Sequence, residues 1–321
     1  MKLAALDLGS NSFLCLIADI DQQRKIVVEQ DLLHMVRLGE GLQSSRRFSE
    51  AALQRADAAL KLFKENIKKA NCDHVLAFAT AAARDAINKE DLFQICKNHQ
   101  IPIEIVSGPQ EAEVTFFGAT CEVADMPSLK LQPDSYQLVI DIGGRSTEMI
   151  LGYEEKIKFA RSLNIGCVGF TEEFKPLFPL ESEAILKIQQ QIQHVIHDTV
   201  LEILNLVQGK QIVVIAVAGT PTTLAAMEVG KYSVAAVEGF EFTAQRLENW
   251  SNHLATRTPL EIQRSYGIEF KRADVIYVGA EILNQILKKI SETRPSDQSI
   301  HVSTKGIRYG VMKEMMKRLK L

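Results

Sequence analysis

LAALDLGSNS occupies residues 3–12 and LVIDIGGRSTE residues 138–148, and the two stretches share one build. Each is an apolar run, then an aspartate, then glycine, then hydroxyl or amide side chains. The small, β-branched and long apolar residues predict a strand buried in a sheet. Asp7 and Asp141 fall where those strands run out. Gly9 in one copy, and Gly143 and Gly144 in the other, allow a sharp turn in which consecutive N–H groups face one point, an anion-binding nest. Ser10, Asn11 and Ser12, and Ser146 and Thr147, add side-chain donors for the same oxygens. Apolar strands resume at once, FLCLIADI from Phe13 and MILGY from Met149. The layout is strand, loop, strand, a hairpin rather than the strand, loop, helix of a Walker loop or a dinucleotide fingerprint. A single DLGSNS is as consistent with an ordinary turn, but two copies with an aspartate each point to a duplicated phosphate-type loop.

A third stretch, IVVIAVAGTPTTLAAME from Ile212, carries an apolar strand into Gly219 and Thr220 and then a helical run. Its first helical N–H groups, with Thr220, Thr222 and Thr223 around Pro221, predict an anion site at a helix N-terminus.

These three segments resemble the nucleotide-loop motifs of the actin, Hsp70 and sugar-kinase superfamily, and within it the exopolyphosphatase and guanosine pentaphosphate phosphohydrolase (Ppx/GppA) family. TAAARDA from Thr80, IEIVSGPQEAE from Ile103, IGCVGFTEEF from Ile165, RADVIYVGAEIL from Arg272 and VSTKGIRYGVM from Val302 extend the resemblance over nearly the whole chain. It implies an α/β fold of two ribonuclease H-like domains with a cleft between them. The expected division is residues 1–120 plus 304–321 for the first domain and 121–303 for the second, the segment from Lys305 to Leu321 returning to the first.

Composition is compatible with this reading. The chain has 321 residues, 46% hydrophobic and 24% charged, ordinary for a globular protein with two cores. A net charge of only −3 means that a polyanion must be attracted by locally placed Arg and Lys rather than by a global field. Nucleic acid is not an expected partner. Cys15, Cys72, Cys96, Cys121 and Cys167 are odd in number and lack zinc spacing, which predicts reduced thiols in the cytoplasm. No stretch is long enough to span a bilayer, so no membrane partner is expected.

Helices are predicted between the strands. Phe48–Ala70 carries Leu53, Ala56, Leu60, Phe63 and Ile67 at spacings of three and four, with Ser49 as N-cap. Two more run from about Glu181 to Val207 and from about Arg272 to Ile290. Pro127 and Pro133 fall in the polar stretch MPSLKLQPDS (126–135), read as the connection into the second half.

Phosphoanhydride hydrolysis needs a cradle of donors, a divalent cation held by carboxylates and a carboxylate beside the attacking water. Asp7, Asp141 and Glu148 are loop carboxylates able to reach a magnesium ion. By the resemblance, Glu111 takes the position of the general base and Arg84 that of a phosphate-contacting arginine, with Glu148 as a second catalytic carboxylate. Glu113 lies about 200° from Glu111 around a helix and is read as solvated. Phosphate binding is assigned to Gly9, Ser10, Asn11, Ser12, Arg84, Gly143, Gly144, Arg145, Ser146, Thr147, Gly219 and Thr220.

Two positions depart from the family pattern. Arg145 replaces the third glycine of the second loop; either the backbone tolerates a side chain there and the arginine adds a phosphate contact, or it narrows the pocket. Gln110 stands where many members carry a glutamate, which would alter the field at Glu111. His194 and His197 form HxxH without a third ligand, and the lone Trp250 is read as packing.

The expected activity is magnesium-dependent release of terminal phosphate from inorganic polyphosphate, with a monovalent cation such as K+ as a companion ion and a homodimer as the assembly. Alternatives are 5′-phosphate hydrolysis of guanosine pentaphosphate, a non-hydrolytic regulator that binds guanosine polyphosphates, and a kinase of the same superfamily.

Overall fold

Asp7 and Asp141 close matching strands of two separate sheets. The computed structural model describes residues 1–121, 134–153, 156–293 and 298–321; residues 126–133 of the stretch read as a connection lie outside the described residues. The chain divides into two compact units, Met1–Gly118 with Lys305–Leu321, and Ala119–Thr304.

The first unit opens with strands β1 (Lys2–Leu8), β2 (Ser12–Ile20) and β3 (Ile26–Met35). Helices α1 (Leu42–Ser45) and α2 (Glu50–Ala70) lead to β4 (His74–Ala79), α3 (Ala81–Asp85), α4 (Lys89–Asn98), β5 (Ile103–Ile105) and α5 (Gly108–Thr120). The sheet order is β3-β2-β1-β4-β5, antiparallel across the two hairpins and parallel from β1 to β4 to β5. That is the ribonuclease H-like order implied by the resemblance. Ser49 caps α2 by accepting from the Ala52 N–H, and Ala52, Ala56, Leu60, Phe63 and Ile67 bury its predicted stripe. Leu53 lies at the edge of that stripe, half-buried.

The second unit repeats the plan. It comprises β6 (Tyr136–Ile142), β7 (Thr147–Tyr153), β8 (Lys156–Leu163), α6 (Cys167–Phe174), α7 (Ser182–Val207), β9 (Ile212–Val217), α8 (Gly219–Val229), α9 (Val234–Val237), β10 (Glu241–Thr243), α10 (Ala244–Ala255), α11 (Pro259–Tyr266), α12 (Phe270–Ala273), α13 (Ile276–Thr293) and β11 (Ser299–Val302). Its sheet runs β10-β11-β9-β6-β7-β8, so β8-β7-β6-β9-β11 mirrors the first sheet strand for strand, with β10 added at the edge. The core gathers Ile192, Ile196 and Ile203 of α7 and Ile282, Leu283 and Ile286 of α13 with the buried β6 and β9. The helix expected from Arg272 is two: α12 ends at Ala273, and α13 begins at Ile276.

After β11 the chain re-enters the first unit as α14 (Ile307–Arg318). It crosses α5 with backbones in contact: a Cβ at Gly310 would overlap the Val114 carbonyl, and one at Gly118 the Gly306 carbonyl. Only glycine allows so close an approach. Among the described residues no helix is long and apolar enough to cross a membrane.

Candidate active site

The two hairpin loops are superimposable residue by residue in their pairing. Asp7 opposes Leu14 and Leu8 opposes Phe13; Asp141 opposes Glu148 and Ile142 opposes Thr147. Each turn closes with the same bond, the Gly9 N–H to the Ser12 carbonyl at 3.1 Å and the Gly143 N–H to the Ser146 carbonyl at 2.9 Å. A Cβ at either glycine would press on that carbonyl, at 3.0 and 3.2 Å.

Each loop is held from behind by its carbonyls. In the first, Gly39 donates to the Ser10 carbonyl, and Val36 and Arg37 donate to that of Asn11. In the second, the Cys167 N–H donates to Gly143, and Val168 and Gly169 both donate to Gly144. The start of α6 therefore binds the loop, and Gly166 fits under it because a Cβ there would overlap the Arg145 backbone. With carbonyls pinned this way, the N–H groups of Ser10, Asn11 and Gly144 donate to no backbone carbonyl among the described residues. That is the condition for a nest able to take phosphoryl oxygens. Ser10, Asn11, Ser12, Arg145 and Ser146 are all partly exposed beside these groups.

Arg145 is the counterpart of Asn11 in the other loop, and its φ is not positive. The backbone thus accepts a side chain where the family pattern has glycine. Thr147 is fully buried, and its hydroxyl donates to the Ile165 carbonyl at 2.6 Å. That bond braces the loop from behind.

In the first unit an acidic and a basic group converge near the loop. Glu111, in the first turn of α5 and only 5% exposed, accepts from Arg84 Nη1 at 2.5 Å. Arg84 also donates to the Val106 carbonyl at 2.9 Å, which fixes the guanidinium between strand end and helix start. Burial pushes the Glu111 carboxyl up, and the Arg84 charge and hydrogen bond pull it back. Asp7 is pushed up to about 7, first by burial and then by the nearby Glu111 charge, with Arg308 opposing. Its Oδ1 is shut off from solvent without a hydrogen-bond partner. Arg308 of α14, 7% exposed, is itself held by both oxygens of Asp31 at 2.8 and 2.6 Å. Neither Arg308 nor Asp31 stood out in the sequence, since 277 residues separate them.

Gln110 explains itself locally. Its side-chain oxygen accepts from the Ser107 N–H at 3.0 Å and hydroxyl at 2.8 Å, and the Ser107 hydroxyl faces the Gln110 N–H at 3.4 Å. This is a capping box, which takes Gln or Glu alike and fixes the turn that presents Glu111. Glu113 is exposed, as its helical phase predicts.

In the second unit Asp141 and Glu148 are 7% and 6% exposed and directly opposed across the hairpin. Two like charges at such a position are unfavourable without a cation or proton. The Ser162 hydroxyl donates to Glu148 Oε1 at 2.6 Å and orients it. In the third loop Ala218 has φ 73 and ψ −164, a backbone conformation favouring glycine, which turns the chain into α8. The Thr222 hydroxyl bonds back to the Ala218 carbonyl at 2.8 Å, and Arg272 Nη1 donates to Thr223 at 3.2 Å. Thr220 is 4% exposed and packs closely on Gly279. Gly219 leaves room for the Arg272 guanidinium, which a Cβ would strike.

Among the described residues no three His, Cys, Asp or Glu side chains form a group able to hold a metal ion. His194 and His197 are both exposed on α7. Magnesium does not require a protein cage: it keeps several waters and is held by one or two carboxylates together with substrate phosphates. The opposed Asp141 and Glu148 pair fits that mode within the second unit, and the unpartnered Asp7 Oδ1 fits it separately within the first.

A family model described as the Ppx/GppA phosphatase family matches residues 16–319. Exopolyphosphatase 2 of Mycobacterium tuberculosis is 28% identical over 312 residues, covering 92% of this chain and 93% of that protein. The guanosine-5'-triphosphate,3'-diphosphate pyrophosphatase of Aeromonas hydrophila is 34% identical over 169 residues, 51% of this chain and 32% of that protein. Among solved structures, the exopolyphosphatase of Cytophaga hutchinsonii aligns over 99% of this chain and 98% of its own, with a TM-score of 0.86 and 26% identity. With paired loops, a buried Glu111 held by Arg84 and a match over nearly its whole length, the chain belongs to the Ppx/GppA phosphatase family.

Proposed function

We propose that the protein is an exopolyphosphatase that hydrolyses the terminal phosphoanhydride of inorganic polyphosphate with magnesium. The observation that carries this reading is Glu111, a buried carboxylate whose proton affinity is raised by burial and trimmed by Arg84 at 2.5 Å. A base poised in that way suits the activation of water. Glu111 takes a proton from water as its oxygen attacks the terminal phosphorus. The bridging P–O bond breaks, releasing orthophosphate and a chain one unit shorter. Arg84 orients Glu111 and offers its remaining N–H groups to phosphoryl oxygens. Within the first unit, the backbone N–H groups of Ser10 and Asn11 take further oxygens; the Gly144 N–H is the matching donor of the second loop. In the second unit Asp141 and Glu148 would hold magnesium, which would supply neutralisation of phosphate charge when bound, and Asp7 is the corresponding carboxylate of the first loop.

Hydrolysis of the terminal 5′-phosphate of guanosine pentaphosphate is the second reading, because the Aeromonas relative is named for that substrate class and the same terminal group is presented. The similarity of the Mycobacterium exopolyphosphatase over almost its entire length favours polyphosphate. A regulator without turnover would have no use for the Arg84–Glu111 pair. The five cysteines carry no disulfide, which suits the cytoplasm.

The test is phosphate release from defined-length polyphosphate and from guanosine pentaphosphate side by side, with and without chelator. Magnesium-dependent release with a higher kcat/KM for polyphosphate is expected. Turnover of guanosine pentaphosphate alone would transfer the assignment, and release undiminished by chelation would remove magnesium from it.

A further inference from the structure

An open surface pocket of about 250 Å3 lies in the second unit, with Glu228, Arg246 and Asn249 exposed at its wall, and none of the residues assigned to the reaction lines it. Arg246, Asn249, Trp250 and His253 line it from α10 at positions i, i+3, i+4 and i+7, a single helical stripe. The helix buries a different stripe, Leu247, Ser251, Leu254 and Ala255, so these four are not its core face. Glu228 of α8 and Tyr266 of α11 complete the wall.

The rings of Trp250, His253 and Tyr266 form a corner. Their centroids lie 5.4, 5.5 and 5.9 Å apart and their planes cross at 75°, 61° and 68°. The polar atoms between them are partly used. The Trp250 indole N–H donates to Glu228 Oε2, the Tyr266 hydroxyl pairs with His253 Nε2 at 2.6 Å, and Asn249 Oδ1 accepts from Gln245 at 3.1 Å. Glu228 Oε1 stands 4.0 Å from Arg246 Nε, beyond hydrogen-bond reach. An acceptor, Glu228 Oε1, and a donor, Asn249 Nδ2, therefore remain beside the aromatic faces. The opposite charges of Glu228 and Arg246 leave the wall neutral, and burial with the nearby Arg257 charge lowers the proton affinity of His253.

We propose that this corner binds the base of a purine nucleotide. A purine is flat, stacks on aromatic faces, and carries a ring-edge donor beside an acceptor, the complement of Glu228 Oε1 and Asn249 Nδ2. The cavity falls just below the roughly 300–1,000 Å3 of drug-sized pockets, as one bicyclic ring requires. Arg246, whose Nη1 also donates to the Glu241 carbonyl at 3.2 Å, keeps its other N–H groups for the nucleotide phosphate.

Trp250 is the single tryptophan of the chain, so its fluorescence reports on this cavity. The experiment titrates GMP and AMP into the full-length protein without magnesium, so that tripolyphosphate is not hydrolysed, both in its absence and with it saturating to occupy the phosphate loops. Saturable quenching by both nucleotides, and none by ribose 5-phosphate, is expected. Asn249→Ala and, independently, Arg246→Ala should each weaken half-saturation about fivefold while leaving phosphate release unchanged. Absence of saturable quenching at millimolar nucleotide would overturn the proposal. So would abolition of the signal by tripolyphosphate, stronger quenching by choline than by nucleotide, or unchanged affinity in both variants.

Discussion

Arg84 and Glu111 form the contact on which the proposed chemistry turns. Arg84 restrains a carboxyl that burial alone would push higher. Replacing Arg84 by Ala should move the acidic limb of the pH–kcat profile to higher pH, because the adjacent opposite charge and hydrogen bond that hold the carboxyl down are lost. A limb that stays in place would separate Glu111 from the titration that controls turnover. Residue identity was legible here from the motif alone: SGPQEAE and TAAARDA contain both partners. What the motif did not contain was the reason for Gln110, whose side chain turns back to Ser107 and caps the helix. The brace on Thr147 was equally hidden: its acceptor is the Ile165 carbonyl, 18 residues away, and no local pattern announces a bond of that separation.

At the scale of elements, the hairpins were readable because strand, aspartate and glycine are neighbours in sequence. Their anchors were not. The carbonyls of the first loop are held by residues 36–39 and those of the second by residues 167–169, contacts that exist only after the sheet and α6 are in place. Gly166 shows how tight the second anchor is, since a Cβ there would overlap the Arg145 backbone. Gly166→Ala should therefore displace the loop and lower kcat/KM by about 100-fold, the typical loss for an ångström of misplacement, with far-UV circular dichroism unchanged. Wild-type turnover in that variant would mean that the loop is not held as described. The break between α12 and α13 was also missed, because the apolar period continues across it and masks the end of the first helix at Ala273.

For the whole molecule, the carboxyl of Asp7, half-buried with its Oδ1 shut off from solvent, ties stability to pH. The folded protein keeps its proton up to about pH 7, whereas the unfolded chain releases it near the ordinary value of 3.8. The native state therefore binds more protons across that window, so metal-free stability is greatest below it and declines as pH rises towards 7, by as much as roughly 4 kcal/mol. Asp7→Asn should match the wild type in urea denaturation at about pH 4 and exceed it at about pH 8, the excess following from that linkage. A wild type that gains stability over this range relative to the variant would contradict the protonated Asp7. The duplicated architecture itself was implied by the duplicated loops, but the strand-for-strand match of the sheets, and the close glycine crossing of α5 and α14, rest on pairings between distant segments.

The central claim is that Glu111 activates water while the loops grip phosphate, and Glu111→Gln tests it most directly. The amide keeps the size and position of the side chain but cannot take the proton. Magnesium-dependent phosphate release from polyphosphate should fall by about 10²- to 10⁴-fold, the usual contribution of a general base, with polyphosphate binding kept within a few fold. Turnover close to that of the wild type would remove Glu111 from the mechanism and contradict the account.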